Sequence, residues 1–184
     1  MIRLFVALGL PTATAEILTH VQDGVPGARW SEPSHMHLTL RFVGEVTERL
    51  ADEVDFELSR IGGAPFEVTL AGVGAFEAQG VTRAIWAGVE ASEALRRLQR
   101  RCERAVRCAG VAPDTRPWRA HVTLAYVSGA EPARVGAWVQ RNNLLRLAPF
   151  TVAGFGLYSS WLSKAGSSYR LERTYPLREP RRDP

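Results

Sequence analysis

Only two cysteines occur among the 184 residues, Cys102 and Cys108, six positions apart on one predicted helix. They face different sides, cannot bridge and match no zinc-ligand spacing. A disulfide scaffold is therefore excluded, and a reducing, cytoplasmic setting is expected. No stretch approaches eighteen uncharged apolar residues, so no membrane span is encoded. The apolar opening from Met1 to Leu10 holds Arg3 and lacks both a basic leading region and a small-residue cleavage site. It reads as a first strand and not as a signal peptide. No low-complexity segment and no linker divides the chain. Lysine is almost missing: of 23 basic residues one, Lys164, is lysine and 22 are arginines. Arginine forks onto phosphate and stacks on bases, so this bias permits a nucleic-acid or nucleotide partner without demanding one.

What is present is an ordinary globular balance, 46% hydrophobic and 23% charged with a formal net charge of +4, in about one domain's length. Apolar runs and turn residues predict strands over 2–9, 35–43, 65–73, 82–89, 118–127 and 150–157, and a hairpin of 158–162 with 168–175 around Lys164-Ala165-Gly166. Helices are predicted over 12–21, 47–61, 92–108 and 131–143, with Thr47 and Ser92 as caps. The helix over 92–108 carries six arginines off its apolar stripe, which read first as a solvated face and second as an RNA contact. Sequential strand pairs interspersed with helices favour an α+β plan with antiparallel sheets. The domain is expected over 1–177, with 178–184 a loose tail.

Two segments echo each other: His37-Leu38-Thr39-Leu40 and His121-Val122-Thr123-Leu124. With four histidines and eleven threonines in the chain, chance supplies only about 0.24 His-x-Thr, before a following leucine is required. Side chains two apart on a strand share a face. His35, His37, Thr39 and Arg41 are thus expected on one face, with Met36, Leu38, Leu40 and Phe42 on the other. Likewise Arg119, His121 and Thr123 share a face opposite Ala120, Val122 and Leu124. Two imidazoles, two hydroxyls and at least two guanidinium groups suit a phosphodiester: one imidazole takes a proton, the other gives one, and the remaining donors hold the phosphate oxygens. No paired carboxylates accompany these histidines, so no metal is expected.

On these residues the chain resembles the two-histidine phosphoesterases, and within them the RNA 2′,3′-cyclic phosphodiesterase (2′-5′ RNA ligase) family. The opening Arg3-Leu4-Phe5-Val6-Ala7-Leu8, the strand around Arg83-Ala84-Ile85-Trp86, and Ser160, Leu162, Gly166, Tyr169 and Leu171 are similar to that family as well. The resemblance implies a bilobal fold: two pseudo-symmetric antiparallel sheets facing a central groove, with helices on the outer faces. It implies His37 and His121 as the catalytic pair, His121 as base and His37 as acid, with Thr39 and Thr123 on phosphate oxygens. It also implies metal-independent, cofactor-free hydrolysis of RNA cyclic-phosphate ends, and possible reversible 2′-5′ ligation. A monomer is expected. The family often has proline before the second histidine and arginine three residues after the second threonine; here these places hold Ala120 and Tyr126. Arg41 or Arg119 is expected to supply the missing phosphate contact, unless selectivity for the terminal phosphate differs. Trp30, next to a strand, reads first as core and second as a base-stacking residue. The alternatives are a phosphodiesterase acting on 2′-5′ oligonucleotides or small cyclic nucleotides, and a non-catalytic RNA-end binding module.

Overall fold

The computed structural model of the protein describes residues 1–163 and 166–178. Its strands are β1 (Ile2–Gly9), β2 (Ala28–Trp30), β3 (His37–Val46), β4 (Phe66–Val68), β5 (Leu70–Ala78), β6 (Val81–Val89), β7 (His121–Val127), β8 (Phe150–Val152), β9 (Gly154–Ser163) and β10 (Gly166–Pro176). Its helices are α1 (Thr12–Thr19), α2 (Glu48–Ser59), α3 (Glu93–Cys108) and α4 (Pro132–Asn142). Thr47 and Ser92 cap α2 and α3, their side chains accepting from the backbone N–H groups of Leu50 and Leu95; each satisfies an amide the helix leaves unpaired. Lys164, Ala165 and residues 179–184 of the expected hairpin turn and tail lie outside the described residues.

The expected α+β plan forms, and its two sheets are halves of one antiparallel path, β10-β9-β1-β3-β7-β6-β5, with β2 added against β7. The halves meet at a single residue pair, Leu38↔Val122. The chain runs twice through the same order. β1-α1-β3-α2-β4-β5 is followed by β6-α3-β7-α4-β8-β9, and β4 and β8 pair with each other. Each repeat sends its last strand to the other half: β5 pairs β6, and β9 pairs β1. The predicted strands over 65–73 and 150–157 therefore each break in two, because the short pieces leave for the β4–β8 pair. The three-residue strand β2 was not predicted at all.

One sheet face is apolar and packed. Leu38, Leu40, Val122 and Leu124 are buried together with Val54 and Leu58 of α2, Leu95, Leu98 and Cys102 of α3, and Val135 and Trp138 of α4. Burying a side chain of this size is worth about 1.5–3 kcal/mol, so this shared core fixes which face of β3 and β7 is left for the groove. Cys102 is buried and Cys108 exposed, and both are free. Several arginines of α3 are engaged: Arg100 pairs with Glu93, Arg101 donates to the Gly62 carbonyl, and Arg96 to that of Ala91. No helix of the described residues is long and apolar enough to cross a membrane.

Candidate active site

The Leu38↔Val122 pair is antiparallel, so its register sets His37 across from Thr123 and Thr39 across from His121. The two histidines are then diagonal neighbours across this seam, near enough for His121 to act electrostatically on His37. All four residues line one cavity of about 300 Å³. The residue paired with each histidine on the adjoining strand is glycine, Gly9 for His37 and Gly88 for His121. At Gly88 a Cβ would fall 2.4 Å from the Ala71 carbonyl oxygen, so the close strand approach beside His121 admits no other residue.

Both imidazoles are held alike. His37 Nδ1 lies 2.7 Å from the His35 carbonyl, and His121 Nδ1 lies 2.7 Å from the Arg119 carbonyl. A carbonyl only accepts, so Nδ1 carries the proton in each neutral ring and Nε2 is left free to take or give one. The rings differ in surroundings. His37 packs against Phe5 at 4.8 Å and Tyr169 at 5.0 Å between ring centroids. Burial, with a smaller contribution from the neighbouring His121 and His35, pushes its pKa down from 6.5 to about 4. His121 packs against Phe76 at 4.8 Å and Trp86 at 6.3 Å; burial, and then Arg119, lower its pKa. Trp86 itself lies over Gly74, where a Cβ would fall 2.3 Å from the indole.

Strict alternation fails one residue past each threonine. On β3, Ala7 pairs Thr39 but Val6 pairs Arg41, leaving Leu40 extra; on β7, Trp86 pairs Thr123 but Ile85 pairs Ala125, leaving Leu124 extra. Each extra residue is a bulge, and a bulge exchanges the faces of the residues after it. Arg41 accordingly turns away from the groove. It is 6% exposed, ion-pairs with Glu103 and donates to the Phe42 and Ala112 carbonyls. That corrects both the expected face and the expected phosphate contact of Arg41. Phe42 turns the other way, into the groove, and so does Tyr126 at the matching place on β7; they are 48% and 47% exposed. Burial and the adjacent Tyr169 push the Tyr126 phenol up to about 12, so it stays a neutral hydrogen-bonding group.

Other expected residues are placed elsewhere. Arg119 lies across Trp86 and Phe76, its guanidinium carbon 5.7 and 5.9 Å from the ring centroids, in a trough beside His121. Trp30 packs on the core 6.3 Å from Trp138 and does not line the groove, because β2 pairs with β7 and carries it there. The groove's guanidinium groups are Arg3 and Arg116, which sequence reasoning missed. Arg3 lies on β1, and Arg116 sits in a loop where no periodicity reports direction. Arg116 forks onto Asp114, at 3.0 and 2.8 Å, and the pair holds the Asp114 carboxyl down at about 2. Phe42 and Tyr126 did leave a signal, since both copies read His-x-Thr-x-x-aromatic. Among the described residues no group of three His, Cys or carboxylate side chains is placed to hold a metal ion.

The chain matches the LigT-like phosphoesterase family over residues 8–86 and 88–169. It is 30% identical over 176 residues to a protein of Archaeoglobus fulgidus named RNA 2′,3′-cyclic phosphodiesterase, covering 94% of this chain and 99% of that one. To the protein of the same name from Aeropyrum pernix it is 33% identical over 150 residues, 80% of this chain and 84% of the other. Among solved structures, TT0787 of Thermus thermophilus superposes with a TM-score of 0.80 at 27% identity, covering 95% of this chain and 97% of that one.

Proposed function

Because the chain belongs to the LigT-like phosphoesterase family, we propose that it hydrolyses the 2′,3′-cyclic phosphate ends of RNA by paired-histidine acid–base catalysis without a metal ion. The observation that carries this reading is the crosswise placement of both His-x-Thr pairs in one groove, each imidazole presenting Nε2. The relatives' name supplies the substrate class.

In the proposed reaction His121 Nε2 takes a proton from water as the water oxygen bonds to phosphorus. The P–O3′ bond breaks, and His37 Nε2–H gives its proton to the departing O3′. The product is a 2′-phosphomonoester, and the two rings have exchanged their protonation states, which solvent resets. Thr39 and Thr123 donate to the non-bridging oxygens, where charge gathers in the transition state, and Arg3 and Arg116 offset that charge from the groove wall. This order of roles needs His37 charged when substrate is bound. Burial opposes that in the free protein, and the negative charge of the arriving phosphate offsets the burial. With the 5′-hydroxyl of a second RNA in place of water, the same steps form a 2′-5′ linkage.

The test is a short RNA with a 2′,3′-cyclic phosphate, incubated in excess EDTA, its products resolved as 2′- or 3′-monophosphate. Conversion to the 2′-monophosphate is expected, reduced about 10²-fold or more in His37→Ala and in His121→Ala. An aryl phosphodiester, whose leaving group needs no proton, is expected to spare His37→Ala and not His121→Ala. A wild-type rate in either variant on the RNA, or a strict requirement for added metal, would refute the proposal.

A further inference from the structure

Three further cavities open off the groove that holds the histidines, and the one that shares His35, His37 and Tyr169 with it is lined by no arginine, lysine or carboxylate. The remaining two are charged. One, of about 490 Å³, shares Arg3, Leu4 and Ser160 with it. Its charged walls are three arginines, Arg3, Arg170 and Arg173, against four carboxylates, Glu45, Asp52, Asp55 and Glu172. Arg170 and Arg173 are already paired, with Glu172 and Asp55. The other, of about 1090 Å³, shares Thr39, Phe42, Arg116 and His121. Four arginines line it, with only Glu103 and Asp114 for carboxylates, and those two are taken by Arg41 and Arg116.

Two guanidinium groups of the larger trough, Arg96 and Arg119, are thus left without a carboxylate partner among the described residues. Both are already braced. Arg119 lies across Trp86 and Phe76, and Arg96 spends one N–H on the Ala91 carbonyl at 3.0 Å. Bracing lowers the entropy lost when such a side chain takes a phosphate. Phe42, half exposed at the mouth shared with the groove, offers a flat surface on which any base can stack.

Resting on the hydrolase reading for what occupies the groove, we propose that this trough beside His121 is the binding path for the ribonucleotides preceding the cyclic-phosphate end. Arg96 and Arg119 hold backbone phosphates there, and Phe42 faces a base. The cavity by Arg3 is the competing path, and two of its three arginines, Arg170 and Arg173, are already committed to carboxylates.

Counterion release separates the two paths. Removing one cation that neutralises a phosphate of a single strand lowers the slope of log K against log salt by about 0.7. Binding is measured for a tetraribonucleotide ending in a 2′-monophosphate, which needs no turnover, across a salt series. Wild type, Arg96→Gln, Arg96→Lys and Arg170→Gln are compared. The expected result is weaker binding and a slope smaller by about 0.7 in Arg96→Gln, retention of the slope in Arg96→Lys, and no change in Arg170→Gln. In parallel, KM for a cyclic-phosphate tetramer rises in Arg96→Gln, while turnover of a 2′,3′-cyclic mononucleotide is unchanged. An unaltered slope in Arg96→Gln, or a fall confined to Arg170→Gln, overturns the placement. If wild-type protein turns over neither substrate, the hydrolase reading fails, and the salt series still decides where the strand lies.

Discussion

His37 is the residue on which burial and chemistry pull in opposite directions. Its Nδ1–H is satisfied by the His35 carbonyl, yet Phe5, Tyr158 and Tyr169 crowd the ring and hold its pKa down at about 4. Between pH 6.5 and about 4 the unfolded chain takes up a proton at this position and the folded chain does not. Folding is then opposed by protons, so stability rises with pH across that window. The contribution of His37 is complete above pH 6.5 and is lost as pH falls toward about 4; below that, both states are charged and this group adds no further slope. His121 acts in the same direction. Urea midpoints are accordingly expected to drop between pH 7 and pH 5 in the wild type, and to drop less in His37→Gln. Equal drops in the two proteins would show that His37 is not held neutral by the fold. The same burial lowers both imidazoles, so the acid role proposed for His37 calls on the charge of the arriving phosphate to raise it again.

At the scale of elements, the two bulges decide what the groove presents. Period-two alternation placed His37, Thr39, His121 and Thr123 correctly, because the apolar partners Leu38, Leu40, Val122 and Leu124 must all reach one core. It misplaced Arg41 and Phe42, because a strand's own sequence does not announce an inserted residue. The extra residue is defined by the neighbouring strand, through Val6↔Arg41 and Ile85↔Ala125. For the same reason β2 was invisible. Three residues, Ala28–Trp30, become a strand only because β7 offers them an edge, and that pairing carries Trp30 to Trp138. The bulges give each lobe one aromatic at the groove wall, Phe42 with the Arg116 guanidinium 5.9 Å away and Tyr126 with that of Arg29 at 5.7 Å. Truncating a half-exposed wall residue removes little core, so folding should be kept. Loss of a stacking surface costs roughly 1–3 kcal/mol per base. Phe42→Ala and Tyr126→Ala are therefore expected to raise KM for cyclic-phosphate RNA roughly 5- to 150-fold, with kcat changed far less. A fall in kcat at unchanged KM would instead make these rings supports for the histidines.

At the scale of the whole molecule, the internal echo first seen as two tetrapeptides extends to the order of the elements, but the repeats are not the lobes. The half-sheet carrying His37 is completed by β9 of the second repeat and by β10 that follows it, and the half carrying His121 by β5 from the first. Nothing local in the sequence reports that exchange. It depends on pairing between β1 and β9, some 150 positions apart along the chain. Its consequence is that neither repeat can close its own sheet. Fragment 1–79 exposes the edge of β1 that β9 covers, and fragment 80–184 leaves β6 without β5; an open apolar edge of that kind favours association over solitary folding. Cut in the turn between β5 and β6, the two pieces are expected to be unfolded separately by circular dichroism. Mixed, they are expected to regain strand signal and a complex of one copy each, since every exchanged strand then finds its partner. The full chain should unfold in one transition seen alike by tryptophan fluorescence and by circular dichroism, because losing either lobe removes a strand from the other. Two separated transitions, or a fragment that folds alone, would mean that each repeat holds its own core. The same geometry governs activity. The groove exists only where β3 of one repeat meets β7 of the other at Leu38↔Val122, so activity should return with the complex and not with either piece.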